Sequence, residues 1–354
     1  MSRIAPTKSP ARLKQTATVP RLPITTIRLG YVPLLDAAPV VMAEELGYFA
    51  KAGLNVRLSQ ELGWGSIRDK IVYGELDAAQ APGGLLFSIL FGTHTPPCEV
   101  RSDLVLSLQG NGITLSSRLW QKGVRDGRTL RLMIRSELPR KPVFAAVSAF
   151  SSHLYLLRKW LRQSDIDPDR DVRIAILPPP LVGEHMATGQ IDGFCVGEPW
   201  NSAATLAGEG WVVATSETLE PGHPEKVLAV RPELYQQRAE EYVLLRRAIV
   251  DACRYCDIPE NRREVAETLH RRNFFACDFK AIANGLTGTF DAGAGQLQTR
   301  NPLIVFHNQN ANAATRERAL WFLESVLENG ALRLDPGQRR RALDAFQVSL
   351  LSLP

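Results

Sequence analysis

The chain has 354 residues, of which 45% are hydrophobic and 22% charged, and its formal net charge is +5. This length favours two lobes or domains over a single core, and the composition is typical of a soluble globular protein. The first 27 residues contain no acid and account for the whole excess of charge, through Arg3, Lys8, Arg12, Lys14 and Arg21. The rest of the chain is therefore close to neutral, which argues against direct nucleic-acid binding.

Residues 1–26 are basic, are interrupted by four prolines and contain no run of seven or more apolar residues. An export signal needs such an apolar run, and prolines interrupt helices. We therefore expect residues 1–26 to be a disordered leader on a cytoplasmic protein. No stretch approaches the roughly 18 apolar residues of a membrane span. The five scattered cysteines favour a reducing compartment, and we expect Cys253 and Cys256 to pack within a helix.

Strands and helices alternate along the first part of the chain. The predicted elements are a strand at residues 27–32, a helix at 38–52, a strand at 54–58, a helix ending at Gly74 and a strand at 77–81. We interpret Ser66 as the N-cap of the second helix, with Asp69 placed as a capping-box acid. The turn Gly74-Glu75-Leu76-Asp77-Ala78 has the same form as Gly189-Gln190-Ile191-Asp192-Gly193. In both, the glycine suits a left-handed helix end and the aspartate can bind amides of its own loop.

A second run of strands and helices follows an extended stretch at residues 104–115. We expect this stretch to be a strand that crosses between lobes and flexes at Gly110 and Gly112. The later predictions are strands at 143–147 and 172–177, a helix at 151–162, a strand at 211–214 that returns to the first lobe, mainly helices from Glu233, and a strand at 303–306. The predicted domains are residues 27–110 with 214–354 for lobe 1 and residues 111–213 for lobe 2.

The candidate site is a set of polar residues in turns and at element ends. Glu198 and Trp200 end a strand, where ligands of open α/β sheets usually bind. Backbone amides at a helix start beside Trp64 and Gly65, with the side chains of Asn111, His153 and Lys226, would suit a small anion because all can donate hydrogen bonds. Taken singly, each residue also has a purely structural interpretation. No phosphate-binding, dinucleotide, metalloprotease or hydrolase motif is present, so we predict no catalytic residue, metal or cofactor.

Four segments resemble the nitrate and bicarbonate binding proteins of ABC importers, the family that includes NrtA and CmpA. They are Asp36-Ala37-Ala38-Pro39, residues 64–69 (WGSIRD), residues 195–201 (CVGEPWN) and His223-Pro224-Glu225-Lys226. The resemblance runs from about residue 27 to about residue 290. It implies a type II periplasmic-binding-protein fold, in which two α/β lobes joined by a crossing-strand hinge close on a ligand in a central cleft. It also implies that nitrate or nitrite is held at the positions of Trp64, Asn111, His153 and Lys226.

Within the family, the chain looks more like the cytoplasmic nitrate/nitrite sensors of the NasS type than the exported binding proteins. Asn111 stands where the nitrate binder has a glutamine, and Gln109-Gly110-Asn111-Gly112-Ile113-Thr114 is similar to the sensors. That resemblance implies a partner, a NasT-like RNA-binding antiterminator with an ANTAR domain, which the anion releases. Two other classes stay open: the binding component of an ABC importer, and a biosynthetic enzyme on the same fold.

Glu198 is the least expected residue in an anion site because a bare carboxylate repels an anion. We therefore predict that Gln109, Glu198 and Trp200 lie behind the direct ligands or at the hinge. Glu198 would either orient Lys226 or another donor, or lie at a contact between the lobes that changes on closure. The basic pairs and triplets at Arg246-Arg247, Arg271-Arg272 and Arg339-Arg340-Arg341 are candidates for a partner surface.

Overall fold

The computed structural model describes residues 25–136, 140–271, 273–275, 277–299 and 303–346. The strands of this part are β1 (Ile27–Tyr31), β2 (Val56–Gln60), β3 (Ala78–Pro82), β4 (Val105–Gln109), β5 (Asn111–Ser116), β6 (Val143–Ala146), β7 (Arg173–Ile176), β8 (Gly193–Gly197), β9 (Gly210–Thr215), β10 (Pro224–Val230), β11 (Thr289–Asp291), β12 (Leu297–Thr299) and β13 (Ile304–Val305). The predicted leader lies outside the described residues up to residue 24.

The helices are α1 (Ala38–Glu45), α2 (Tyr48–Lys51), α3 (Trp64–Val72), α4 (Leu85–Leu90), α5 (Ser117–Gln121), α6 (Gly127–Arg135), α7 (Ser152–Gln163), α8 (Val182–Ala187), α9 (Trp200–Leu206), α10 (Ser216–Leu219), α11 (Ala239–Asp257), α12 (Arg262–Arg271), α13 (Phe279–Leu286), α14 (Arg316–Glu328) and α15 (Pro336–Asp344). None of the described helices is long and apolar enough to cross a membrane.

The elements form two α/β lobes, each built on one mixed sheet. Lobe 1 contains a six-stranded sheet of order β13-β4-β10-β3-β1-β2, and lobe 2 a five-stranded sheet of order β7-β6-β8-β5-β9. In lobe 1, β1 runs parallel to β2 and β3, whereas β10 runs antiparallel to β3 and β4. In lobe 2, β6 runs parallel to β7 and β8, and β5 runs antiparallel to β8 and β9. The prediction of two sheet-containing α/β lobes is confirmed.

Both sheets are covered by helices, so their central strands are buried on both faces. Every residue of β3, β4 and β10 is buried, which fits strands without a polar face. Cys253 and Cys256 lie in α11, fully buried in the apolar core of lobe 1. The prediction that this pair packs within a helix is therefore confirmed.

The chain crosses from lobe 1 to lobe 2 between β4 and β5. Gln109 and Gly110 both have positive φ, 61° and 92°, and turn the chain from one sheet into the other. The predicted flexion at Gly112 is wrong, because Gly112 lies inside β5. A Cβ on Gly112 would lie 3.0 Å from Cγ of Asn201, so this glycine allows close packing of α9 on the sheet.

The return to lobe 1 also differs from the prediction. The strand expected to return the chain, at residues 211–214, is part of β9 and pairs with β5 in lobe 2. The chain returns only after α10, where it enters β10 of lobe 1. At this point the amide of Gln109 donates to the carbonyl of His223 at 3.1 Å, so the two crossings lie side by side.

The repeated turn occupies equivalent places in the two lobes. Gly74 and Gly189 have φ of 75° and 80°, as expected for glycines that follow a helix. The aspartates do not bind their own loops as predicted. Asp77 accepts from the backbone amide of Arg28 in β1 at 2.8 Å, and Asp192 accepts from the first amide of β6 at 2.9 Å. Each aspartate therefore forms a hydrogen bond that links the start of its own strand to the neighbouring parallel strand.

Two predicted helix boundaries are wrong. The single helix at 38–52 is divided into α1 and α2 by Gly47, whose φ is 67°. Ser66 is not an N-cap, because α3 begins at Trp64 after an extended Gly63. The hydroxyl of Ser66 instead donates to the carbonyl of Gly63 at 2.8 Å. Trp64 is therefore the first residue of α3.

Candidate functional site

A buried ionic cluster lies between the lobes, centred on two adjacent residues of β10. The side chains of Glu225 and Lys226 are both fully buried, and they contact one another. Neighbouring residues of a regular strand point to opposite faces. Here the register with β4 shifts on both sides of Lys226, and such irregularities re-aim side chains. At this break in register, the side chains of Glu225 and Lys226 both lie in the same cluster.

The carboxylate of Glu225 is held from both lobes. Its Oε2 accepts from Nδ2 of Asn111 at 2.6 Å and from the hydroxyl of Ser152. Its Oε1 lies 3.3 Å from Nε2 of His153 and accepts from the ammonium of Lys226. Burial by itself would raise the pKa of Glu225, but Lys226 and His153 outweigh it and hold that pKa well below its ordinary value. Glu225 is therefore ionised at neutral pH.

The ammonium of Lys226 is surrounded by two carboxylates and an indole. Its Nζ lies 3.0 Å from Oδ2 of Asp36 and 5.4 Å from the centre of the Trp64 ring, within cation–π range. Burial alone would lower the pKa of Lys226, but Asp36 and Glu225 outweigh it and raise that pKa. The lysine therefore stays charged in a fully buried position.

Asp36 is held in place by a glutamine of β3. The amide of Gln80 donates to Oδ1 of Asp36, and its own Oε1 accepts from the amide of Val32 at 3.0 Å. Burial raises the pKa of Asp36, opposed by Lys226. This chain of contacts ties the cluster to the carboxyl ends of β1 and β3, where ligands of α/β sheets usually bind.

His153 lies in the first turn of α7, as predicted, and is fully buried. Burial, together with Lys226, lowers the pKa of His153 to about 4 against the opposing effect of Glu225. The imidazole is therefore neutral at pH 7. With the proton on Nε2 it donates to Glu225, and Nδ1 has no hydrogen-bond partner among the described residues. Burial also lowers the pKa of His223, whose ring stacks on Trp321 with centres 5.1 Å apart.

The cluster contains several buried polar atoms that lack a hydrogen-bond partner in the described chain. They are Nε1 of Trp64, Oδ1 of Asn111, Nδ1 of His153 and Nε2 of His223. Such atoms are uncommon in a protein interior, and several in one place point to a ligand or bound water. The set mixes donors and acceptors, as expected where a small polar ligand binds.

Trp64 and Gly65 mark the edge of the cleft. Trp64 is buried and Gly65 is exposed. Both line a cavity of about 230 Å³, together with residues of both lobes that include Val147 and Ser148. The residues lining this cavity do not include Glu225 or Lys226, and both of these side chains are fully buried.

Glu198 and Trp200 lie at a contact between the lobes and not at the ionic cluster. The indole Nε1 of Trp200 donates to the carbonyl of Pro33 at 3.0 Å, and the carbonyl of Glu198 accepts from the amide of Leu35 at 2.8 Å. The Glu198 carboxyl accepts from the amide of Ser202 at 3.2 Å. The alternative in which Glu198 orients Lys226 is therefore wrong, because Asp36 and Glu225 occupy that role.

The structure thus brings Asn111, His153 and Lys226 together, with Trp64 alongside. Gly65 lies at the edge of the cleft, and Gln109 lies on the crossing between the sheets. The sequence interpretation missed the contributions of Glu225, Asp36, Ser152 and Gln80. Two of these had a signal in the sequence, because Asp36 begins one of the four segments that carry the family resemblance and Glu225 lies in another. No group of His, Cys, Asp or Glu suited to hold a metal occurs in the described part of the chain.

Comparison with known proteins identifies the family. Residues 21–270 match the NMT1-like family. The chain is 34% identical over 321 residues to the bicarbonate transport ATP-binding protein CmpC of Synechococcus elongatus, covering 90% of this chain and 47% of that protein. It is 30% identical over 318 residues to the nitrate/nitrite binding protein NrtA of the same organism, covering 86% and 72%. The chain therefore spans about half the length of the ATP-binding relative and most of the binding protein.

The fold agrees with this relationship. The crystal structure of the periplasmic nitrate-binding protein NrtA from Synechocystis PCC 6803 superposes with a TM-score of 0.86 and 26% identity, covering 91% of this chain and 87% of that one. The expected periplasmic-binding-protein fold and the resemblance to nitrate and bicarbonate binding proteins are confirmed. The chain belongs to the NMT1-like family and is a relative of the NrtA substrate-binding proteins.

Proposed function

We propose that this protein is a receptor for nitrate or nitrite that binds the anion in the cleft between its lobes. The observation that carries the proposal is the fully buried ammonium of Lys226, set among hydrogen-bond donors from both lobes. Asp36 and Glu225 compensate its charge within the protein, and buried polar atoms of Trp64, Asn111 and His153 that lack a hydrogen-bond partner in the described chain point to a polar ligand beside it. The relatives named above include a nitrate/nitrite binding protein, which favours these anions.

The donor set fits a small planar oxyanion. Lys226 contributes the charge, and Asn111 and neutral His153 each contribute an N–H. The indole N–H of Trp64, which has no partner in the described chain, contributes another. Donors placed on both lobes make closed lobes bind the anion better than open ones. The ligand therefore shifts the population towards closure.

We propose further that the protein works in the cytoplasm as a sensor. In this proposal the ligand-free form holds a NasT-like antiterminator with an ANTAR domain, and the anion releases it, so that nitrate assimilation genes are read through. The similarity of the segment around Asn111 to the sensors supports this. A coupling free energy of about 1–3 kcal/mol between the two ligands would change partner affinity roughly 5- to 150-fold.

The binding proposal is tested by titration calorimetry with nitrate and nitrite on protein freed of ligand by unfolding and refolding. We expect micromolar affinity for at least one anion, and a loss of at least about tenfold in Lys226→Ala, or about 1.4 kcal/mol. Lys70→Ala is the matched control, because it removes a lysine ion pair, with Glu61 at 2.7 Å, to which no residue of the cluster contributes. Equal affinity in both variants would contradict the proposal. Bicarbonate is titrated in parallel, and tighter binding of it would move the assignment to that anion.

The sensor proposal needs a separate experiment. The tagged protein is used to capture the ANTAR-domain protein of the same genome, with and without nitrate. Capture without the anion and release with it support a sensor. Capture of the membrane permease of an importer, with no ANTAR protein, would support the other candidate, an importer component, which the relationship to NrtA favours equally.

A further inference from the structure

The Glu225 carboxylate is the most completely bonded group in the ionic cluster. Donors from Asn111, Ser152, His153 and Lys226 converge on its two oxygens. Three of these donors belong to lobe 2, whereas Glu225 itself stands on β10 of lobe 1. The lobes are thus bridged by a negative group of the protein itself.

A carboxylate resembles the ligands proposed above. It is planar, has two oxygens in the same arrangement as nitrite and carries one negative charge, and nitrate differs from it by one further oxygen. The donors on Glu225 are also those that the sequence predicted for the anion: Asn111, His153 and Lys226. An anion that bound beside Glu225 would find these groups already engaged.

We infer that Glu225 is an internal anion that occupies the ligand site, and that nitrate or nitrite binds by displacing its carboxylate from these donors. The inference rests on the proposed function, since it concerns the same site. It makes Glu225 the residue that sets the affinity threshold of the receptor. An oxyanion has to compete with an intramolecular carboxylate, and the apparent affinity falls by the fraction of molecules in which the donors are free.

Charge balance supports displacement over addition. The cluster contains two carboxylates, those of Asp36 and Glu225, and one ammonium, that of Lys226. Adding an anion would bring a third negative group into a buried site, which is costly unless a proton is taken up. In the exchange the displaced Glu225 carboxylate turns out of the cluster into the solvent of the cleft between the lobes, so the charge of the buried site is unchanged. The titratable groups that face or neighbour Glu225 are Lys226, Asp36, His153, His223 and Cys195.

The two mechanisms differ in a measurable proton count. Displacement predicts that wild-type protein takes up close to no proton on binding nitrate at pH 7.5. Addition beside Glu225 predicts uptake of about one proton, by a carboxylate or His153. Calorimetry in Tris and in bicine, which differ in ionisation enthalpy, gives this count directly on the full chain. Uptake near one proton per anion overturns the inference.

The variant Glu225→Gln tests the same point independently. It keeps the shape of the side chain but replaces charge-assisted hydrogen bonds by weaker neutral ones, so we expect it to bind nitrate at least about tenfold more tightly than wild type. Equal or weaker binding overturns the inference, because it would mean that Glu225 supports the donors and does not compete for them. The matched control is Glu233→Gln, which removes an exposed glutamate paired with Arg231 at 2.8 Å just after the same strand.

The outcomes separate this inference from the proposed function. If wild type binds nitrate or nitrite and Glu225→Gln binds less well, the inference falls and the proposed function stands. If neither protein binds either anion, the proposed function falls and takes the inference with it. Should Glu225→Gln fail to fold, as judged by its melting curve, the proton count of the wild type still decides the question.

Discussion

Glu198 makes a specific prediction about the pH dependence of stability. Its side chain is buried at the contact between the lobes, its Oε2 accepts from the amide of Ser202 at 3.2 Å, and its Oε1 has no hydrogen-bond partner in the described chain. Burial raises the pKa of Glu198 from 4.5 to about 7, and hydrogen bonds from Ser202 and Asn201 oppose this rise only in part. The carboxyl is therefore protonated in the folded protein at pH values where it is ionised in the unfolded chain.

The sign and the magnitude follow from this difference. A tenfold change in an acid dissociation constant corresponds to about 1.4 kcal/mol, so a pKa raised from 4.5 to about 7 corresponds to about 3.5 kcal/mol in total. The folded state retains the proton, so the stabilisation is complete below pH 4.5 and is lost as the pH rises through about 7. About 2.5 kcal/mol of that loss falls between pH 5 and pH 8.

The perturbation is Glu198→Gln, and the assay is urea unfolding of both proteins at pH 5 and pH 8. Glutamine does not titrate, so the variant lacks this loss, and we expect its stability relative to wild type to improve by about 2.5 kcal/mol from pH 5 to pH 8. A buried amide N–H₂ left without an acceptor would cost about 1–3 kcal/mol, but this cost is the same at both pH values and cancels in the comparison. Glu324→Gln, which replaces an exposed glutamate, is the control and should keep the wild-type dependence. A parallel pH dependence in wild type and Glu198→Gln would refute the reasoning.

Two tryptophans supply further predictions. Trp64→Phe keeps an aromatic ring over the lysine but removes an N–H that has no partner in the described chain. We therefore expect nitrate affinity to fall about 5- to 10-fold, the loss of one hydrogen bond of about 1–1.5 kcal/mol; unchanged affinity in calorimetry would exclude the indole as a ligand. Trp200→Phe removes the bond to Pro33 between the lobes and should lower the free energy of unfolding by about 1–3 kcal/mol in urea; an unchanged midpoint would contradict a structural role.

Local sequence patterns were sufficient to place several of the site residues. His153 follows a serine at a helix start, and Asn111 opens a strand after two residues of positive φ. Both positions are determined by short-range turn and capping preferences. Lys226 lies near the start of β10, in one of the four segments that carry the family resemblance. The chain crosses between the lobes before Asn111 and again before Lys226, and these two crossings lie side by side. The fold therefore brings these residues together.

The role of Glu225 could not be read from the sequence for a physical reason. Strand alternation assigns Glu225 and Lys226 to opposite faces, and the shift of register at Lys226 depends on pairing with β4, more than 100 residues away. Glu198 illustrates the same limit. Glu198 does follow a buried strand. However, Leu35 and Pro33 of the other lobe bind to the end of this strand, so it forms a contact between the lobes.

Some of the basic residues proposed as a partner surface form ion pairs with residues that are distant in the sequence. Arg246 lies 2.9 Å from the carboxylate of Asp103, and Arg341 pairs with Glu99. The predicted pair at residues 271–272 extends into a residue outside the described chain. The basic runs are therefore partly engaged in ion pairs within the protein, and we expect single charge reversals there to affect packing as well as any partner.

The most direct test of the account is the titration of ligand-free wild-type protein and Lys226→Ala with nitrate and nitrite, with Lys70→Ala as the control. The account predicts micromolar binding by wild type and the control, and a loss of at least about tenfold in Lys226→Ala. Absence of heat and of thermal stabilisation with either anion in the wild-type protein would contradict it.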